Sequence, residues 1–250
     1  MTPSDQQPQR LDLALVARGL VATRAKARDL IARGEVRVDG EIVRKPAANV
    51  REEQVIAVDA QAAAQVSRGA VKLTAALDRF GLDPAGRIAL DVGASTGGFT
   101  QVLLERGAAR VYAVDVGQGQ LHETLKDNPH VVALEQCDAR TLDSVLVPDA
   151  ISAIVVDVSF ISLTKVLPAA LTLATTGCWI VALVKPQFEV GREGVSKGGI
   201  VRDPAHRKRA LITVRDWLAA HPQWEVIGDM PSPIEGGSGN VEYLLAGIRA

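Results

Sequence analysis

From Ile88 to Val184 the sequence alternates short β-branched runs with stretches of helical periodicity: IALDV, a helix from Phe99 to Arg106, VYAVD, a helix near Leu121, VVALEQC, AIVVDV, a helix from Leu163 to Ala174, and WIVALV. Few folds accept that rhythm. It predicts an α/β architecture, a doubly wound, Rossmann-like parallel sheet with helices on both faces. Ligands of such sheets bind outside the carboxyl ends of the strands. The rule sets Asp91 to Gly98, Asp115, Cys137 with Asp138, Asp157 and Lys185 along one rim, because each follows an apolar strand directly. The uncharged stretch from Val166 to Val184 has the length of a membrane span, but Pro168, Thr172, Thr175, Thr176 and Gly177 divide it into a helix, a turn and the buried strand CWIVALV.

Residues 10–59 follow a different pattern. LDLALVARG places Leu11, Leu15 and Val16 on one helical face, with Gly19 as its stop; Thr23 is the N-cap of TRAKARDLIARG, whose Ala27, Leu30 and Ile31 form an apolar face ending at Gly34. VRVDGEIV follows as a hairpin turning at Asp39-Gly40, and VIAV as a further strand. The expected organisation is a loose tail over 1–9, a small α+β domain over 10–59, an alanine-rich connector over 60–67 and the large domain over 68–250. With 28 Lys+Arg against 29 Asp+Glu the chain is near neutral, yet residues 18–45 hold eight basic side chains against four acidic ones. Arg24 and Arg28 stand one helical turn apart, a convergent patch suited to phosphates.

RLDLALVARGLVATRAKARDLIARGEVRVDGEIVRKP resembles the S4-type RNA-binding domain. The resemblance implies binding of structured RNA, with Arg10, Arg24, Arg28 and Lys45 contacting its backbone.

In the large domain the crossover DVGASTGGFT has Gly93, Gly97 and Gly98 between a strand and a helix. A dinucleotide fingerprint would need glycine at position 95, which is Ser95. Asp115, ending the second strand, suits the two ribose hydroxyls of an adenosine, and Asp138, ending the third, suits the adenine. This arrangement resembles class I S-adenosylmethionine methyltransferases, which implies S-adenosylmethionine as cofactor and Gly93, Ser95, Thr96, Gly97, Gly98 and Phe99 as its loop, beside Asp115 and Asp138.

Two lysines and two acids complete the pattern: Lys72 at the start of a helix, Asp157 and Lys185 at strand ends, and Glu242 at the start of the last strand. They are similar to the Lys-Asp-Lys-Glu tetrad of FtsJ-like ribose methyltransferases, and the chain from about residue 10 to 248, including PQFEVGREGVSKGGIV, resembles the TlyA family, which joins an S4-type domain to an FtsJ-like one. VDVSF differs from the Asp-x-Ala-Pro of the wider FtsJ group. The resemblance implies ribose 2′-O-methylation of cytidine in ribosomal RNA, with ribosomal RNA or subunits as partner, no membrane and no obligate protein partner. Lys185 is the expected general base, Lys72 a second cation beside it, and Asp157 and Glu242 the groups that position lysines and hydroxyl.

The glycine-rich stretch Glu189 to Gly199 reads as a substrate-side loop that orders on RNA, and RDPAHRKRA as the start of a helix extending the basic track. The four histidines lack metal-ligand spacing, so no metal is expected. Two cysteines and a polar, Pro-containing start without an apolar core point to a reducing, cytoplasmic location. Two other readings are an RNA-binding assembly factor without catalysis and, from the family's older label, a membrane-active hemolysin.

Overall fold

The computed structural model describes residues 8–21, 23–60, 65–236 and 239–250. The chain divides into two compact units, Met1–Gln65 and Val66–Ala250. Residues 1–7 of the expected tail and 61–64 of the expected connector lie outside the described residues.

In the first unit, strand β1 (Gln9–Arg10) leads into α1 (Leu11–Ala17), followed by α2 (Arg24–Arg33), β2 (Val36–Val38), β3 (Glu41–Ile42), β4 (Asn49–Val50) and β5 (Ile56–Val58). Gln9 is therefore not tail: it pairs with Val50, and Arg10 with Asn49, in a two-stranded sheet. Thr23 caps α2 by accepting the amide hydrogen of Lys26 at 3.2 Å, and Gly34 ends it at φ +82°. Asp39 and Gly40 both have positive φ, the requirement of a two-residue hairpin turn whose twist matches its strands. Asp39 also holds the chain beyond the hairpin, accepting from Val55 N and Gln54 Nε2 at 2.8 Å each. Leu11, Leu15, Leu30, Ile31 and Val36 are fully buried between helices and sheet.

The second unit is a seven-stranded sheet built from β6 (Ile88–Val92), β7 (Arg110–Val114), β8 (Val131–Leu134), β9 (Ile151–Val156), β10 (Ala174–Val184), β11 (Trp224–Pro231) and β12 (Tyr243–Arg249), in the order β11-β12-β10-β9-β6-β7-β8. The five strands from β8 to β10 run parallel; β12 is antiparallel to both its neighbours. Helices α3 (Gly69–Phe80), α4 (Gly98–Glu105), α5 (Glu123–Lys126), α6 (Leu163–Thr172), α7 (Pro186–Glu189) and α8 (Pro204–Ala219) connect them. Side chains alternate across the strands. Ala153, Val155 and Trp179 join Leu73, Leu77 and Leu103 on one face, whereas Leu90, Ile154 and Ile180 join Val166, Leu167 and Val214 on the other. The chain leaves β6 toward β7 and returns to β9 on the other side, which opens a crevice at the carboxyl ends of β6 and β9.

Pro168 lies inside α6, within the expected helix from Leu163; it faces solvent, where water can satisfy the carbonyl one turn earlier. One local expectation changes. Thr175 to Gly177 form no separate turn: β10 begins at Ala174, paired with Ile151, and an irregularity between Ala174 and Trp179 absorbs extra residues, with Gly177 at φ +75°. The stretch after Glu189 is folded rather than open, with a 3-10 turn at Arg192–Gly194 and a bridge between Ser196 and Ile200. Among the described residues no helix is long and apolar enough to cross a membrane.

Candidate active site

The sheet register brings the rim together. Val156 lies beside Ala182 and Val184 beside Tyr243, so Asp157, Lys185 and Glu242, each the next residue outward or inward, occupy one end of three adjacent strands. Neighbouring strands are about 4.8 Å apart. Lys185 Nζ lies 2.6 Å from Asp157 Oδ1 and donates to Ser159 Oγ at 3.0 Å. Lys72, in the first turn of α3, donates to Glu242 Oε2 at 2.5 Å, and both are buried, at 7% and 2% exposure. A cation in the first turn of a helix opposes the helix dipole. Glu242 offsets that and keeps the buried ammonium paired.

The crossover after β6 forms the floor. Gly93, at φ +84°, hangs from Val114 O through its amide at 2.8 Å, and a Cβ there would stand 2.6 Å from Asp157 O. Gly97, at φ +96°, starts α4 where a side chain would run into Leu125 and Leu121. Ser95 also takes positive φ, and Asp115 fixes it: Oδ2 accepts from Ser95 N at 2.8 Å while Oδ1 accepts from Gly117 N at 2.7 Å. Both carboxylate oxygens are thereby oriented, each with a lone pair to spare.

Over this floor a cavity of about 480 Å³ runs from Asp115 and Asp138 to Asp157 and Phe160, and a smaller one of about 200 Å³ adjoins it through Gly93, Ser95, Asp157 and Ser159 and reaches Thr96, Gly98 and Lys185. The larger volume is typical of small-molecule sites. Asp115 and Asp138 stand at one end of the larger cavity, and Lys185 lines the smaller one beyond Asp157.

Two expected cofactor residues are engaged otherwise. Asp138 lines the cavity, but Arg140 holds its carboxylate with contacts of 2.5 to 3.0 Å, which keeps it well below its ordinary range, at about 2. Phe99 borders the smaller cavity while its ring packs with Leu73 and Leu103 in the core. In the first unit Arg10 and Arg24 both converge at 3.0 Å on Asp12, a fully buried carboxylate that they hold at about 2. Arg28 and Lys45 are exposed.

Sequence reasoning passed over Ser159, Phe160 and Glu189. Phe160 is the plainest: its ring is 91% exposed at the cavity edge, at φ +67°, 5.2 Å from the ring of Phe188. An aromatic three residues beyond a strand-end acid was the available signal.

Beneath the loop Asp91 is fully buried. Burial pushes its carboxyl up to about 7, against the opposing hydrogen bond from Thr100 Oγ1 at 2.6 Å, and Asp157 adds to the rise. Because the folded value lies above the unfolded one of 3.8, the associated stability is complete below about pH 4 and lost as pH rises through 7. Asp91→Asn is expected to match the wild-type melting temperature at pH 4 and to exceed it at pH 8, by on the order of 5 °C. Thermal melts across that range check it; a constant difference would contradict the buried-charge account.

The family model for FtsJ-like methyltransferases matches residues 65–249, and that for the S4 domain matches residues 9–56. The chain is 48% identical over 237 residues to the 16S/23S rRNA (cytidine-2'-O)-methyltransferase TlyA of Mycobacterium tuberculosis, covering 94% of this chain and 88% of that protein. It is 40% identical over 236 residues to hemolysin A of Brachyspira hyodysenteriae, covering 94% and 98%. A solved structure carrying the name hemolysin, from Streptococcus thermophilus, superposes with a TM-score of 0.74 at 38% identity, covering 98% of this chain and 89% of that one.

Proposed function

Since the chain belongs to the FtsJ-like methyltransferase family, in the TlyA group that joins this domain to an S4 domain, we propose that Lys72, Asp157, Lys185 and Glu242 carry methyl transfer from S-adenosylmethionine to the 2′-hydroxyl of a cytidine in ribosomal RNA. The observation that carries this reading is the pair of lysine–carboxylate contacts on one sheet rim, at 2.6 and 2.5 Å, beside a cavity of cofactor size.

The residues present fit the cofactor. Gly93, at positive φ and packed against Asp157 O, leaves no room for a side chain, so the bare backbone of the loop forms the cavity floor. Asp115 presents oriented acceptors for ribose hydroxyls, and Asp138 lies at the adenine end, where a ligand must share it with Arg140. When bound, S-adenosylmethionine supplies an electrophilic sulfonium methyl group.

What the protein adds is alignment and a proton acceptor. Lys185, in its amine form, takes the proton of the ribose hydroxyl; Asp157 and Ser159 aim its nitrogen from two sides. Lys72 and Glu242, locked to each other and shielded from water at the neighbouring strand end, complete the set and keep the hydroxyl in line. Phe160 offers an exposed ring on which an unpaired nucleobase stacks, as single-stranded RNA readers use aromatic faces.

The first unit supplies RNA affinity through exposed Arg28 and Lys45, with Arg24 and Arg10 presenting outer guanidinium edges from their Asp12 anchor. Arg24→Ala combined with Lys45→Ala is expected to weaken ribosomal RNA binding and lower the slope of log K against log salt by about two phosphate equivalents. A binding titration at several salt concentrations checks this, and an unchanged slope would contradict it. Ribosomal RNA as substrate supports a cytoplasmic site of action.

The reading is tested by incubating the full chain with labelled S-adenosylmethionine and unmodified small and large ribosomal subunits. Digestion to nucleosides is expected to put the label in 2′-O-methylcytidine; label in another nucleoside, or none, would contradict the assignment.

A further inference from the structure

The loop from Asp157 to Leu163 and the segment from Lys185 to Glu189 are joined at three levels. At the near end Asp157 and Ser159 meet Lys185, and in the middle Phe160 meets Phe188. At the far end Glu189 Oε2 accepts from Ser162 Oγ at 2.6 Å and Oε1 accepts from Leu163 N at 2.9 Å. Ser162 is itself the N-cap of α6, accepting from Thr164 N. The Glu189 carboxylate thus satisfies one of the free amide hydrogens in the first turn of α6 and lies at the end of the helix dipole that favours an anion.

Between these two fastenings stands Phe160, a bulky residue at φ +67°. Such a conformation persists only where the surroundings over-determine it. The Phe188 ring contact leaves the Phe160 ring 91% exposed and therefore supplies little confinement. The restraints that remain are the hydrogen bonds on either side, at Ser159 and at Ser162–Leu163.

We propose that Glu189 is a positioning residue for methyl transfer: by fastening α7 to the first turn of α6 it fixes Asp157 and Ser159 against Lys185 and holds Phe160 turned outward beside the acceptor site. This rests on the reading of the site given above. Glu189 touches no reacting group; it acts through the loop. The loss of both hydrogen bonds frees the loop, and misplacements of about 1 Å in a catalytic constellation reduce turnover by about 100-fold.

The test compares wild type, Glu189→Ala, Glu189→Gln and Ser162→Ala as full chains, with labelled S-adenosylmethionine and unmodified ribosomal subunits. Glu189→Ala is expected to lower kcat by about 10- to 100-fold. The cofactor Kd and the KM for RNA should stay within about threefold of wild type, since RNA affinity comes mainly from phosphate contacts. Glu189→Gln is expected to restore kcat to within about threefold, because its amide oxygen accepts from Leu163 N while its amide nitrogen donates to Ser162 Oγ.

A purely structural cap would lower the melting temperature and leave kcat within about twofold, and that result would overturn the proposal, as would a glutamine variant as slow as the alanine one. Where Glu189→Ala fails to fold, Ser162→Ala decides: a several-fold lower kcat supports the fastening and an unchanged kcat overturns it. Wild type that transfers no methyl group would overturn the reading of the site and this inference with it. An active wild type with an unimpaired Glu189→Ala would overturn this inference alone.

Discussion

Replacing Lys185 by alanine is expected to abolish methyl transfer, with kcat reduced by about 1,000-fold or more, while S-adenosylmethionine still binds within about threefold of the wild-type affinity. The separation follows from position. Lys185 directly follows β10 and lines the smaller adjoining cavity, not the larger one. Its loss removes the proton acceptor and leaves Asp157 facing the acceptor site without its cation. Lys185→Arg separates charge from base function: guanidinium keeps the positive charge and can still pair with Asp157, but it does not deprotonate, so it is expected to be as inactive as alanine. Single-turnover rates alongside equilibrium cofactor titration check both. An arginine variant that retained most of the activity would mean that Lys185 acts by charge and that another group takes the proton.

Gly93→Ala is expected to raise the cofactor Kd by at least about 100-fold and to remove turnover. Two costs combine. An L-residue at φ +84° is disfavoured by about 1–2 kcal/mol. The new methyl carbon would also stand 2.6 Å from Asp157 O and 2.9 Å from Asp157 C, and these are backbone atoms that cannot swing aside. Relief requires moving either the cofactor loop or the strand end that carries Asp157, and each movement damages one function. Gly86→Ala is the matched control: it shares the positive φ, at +69°, and has nothing within 4 Å of the added carbon. It is expected to cost stability alone, with cofactor binding preserved. Equal losses in the two variants would show that backbone conformation, not the approach of Gly93 to Asp157, governs the site.

The residue order disclosed the fold where periodicity and punctuation agree. The apolar runs ending in Asp91, Asp115, Asp157 and Lys185 read as parallel strands because covering helices bury both faces. Thr23, Gly34 and Asp39-Gly40 read directly because their backbone roles are local. Where the answer depended on a partner far away in sequence, the residue order was silent. A charge count carries a sign but no partner: Arg10 and Arg24 read as contacts for an RNA backbone, and both pair with Asp12, buried between them. Asp138 reads as a strand-end acid suited to an adenine, and Arg140, two residues on, folds back to pair with it.

The contacts of Ser159 with Lys185 and of Glu189 with Ser162 and Leu163 depend on the register between β9 and β10, which no single-sequence pattern contains. Thr175 to Gly177 read as a turn for a related reason: they are breakers by propensity, but a strand irregularity accommodates them without ending β10.

The roles of Lys72, Asp157, Lys185 and Glu242 depend on one chemical assignment, that the acceptor is a ribose 2′-oxygen and not a base. The most direct measurement transfers labelled methyl from S-adenosylmethionine to unmodified ribosomal RNA with the wild-type chain and then hydrolyses the RNA in alkali. A methylated 2′-oxygen cannot attack the neighbouring phosphodiester, so the account predicts label confined to alkali-resistant dinucleotides and absent after reaction with Lys185→Ala. Label released in mononucleotides would place the methyl group on a base and contradict the account.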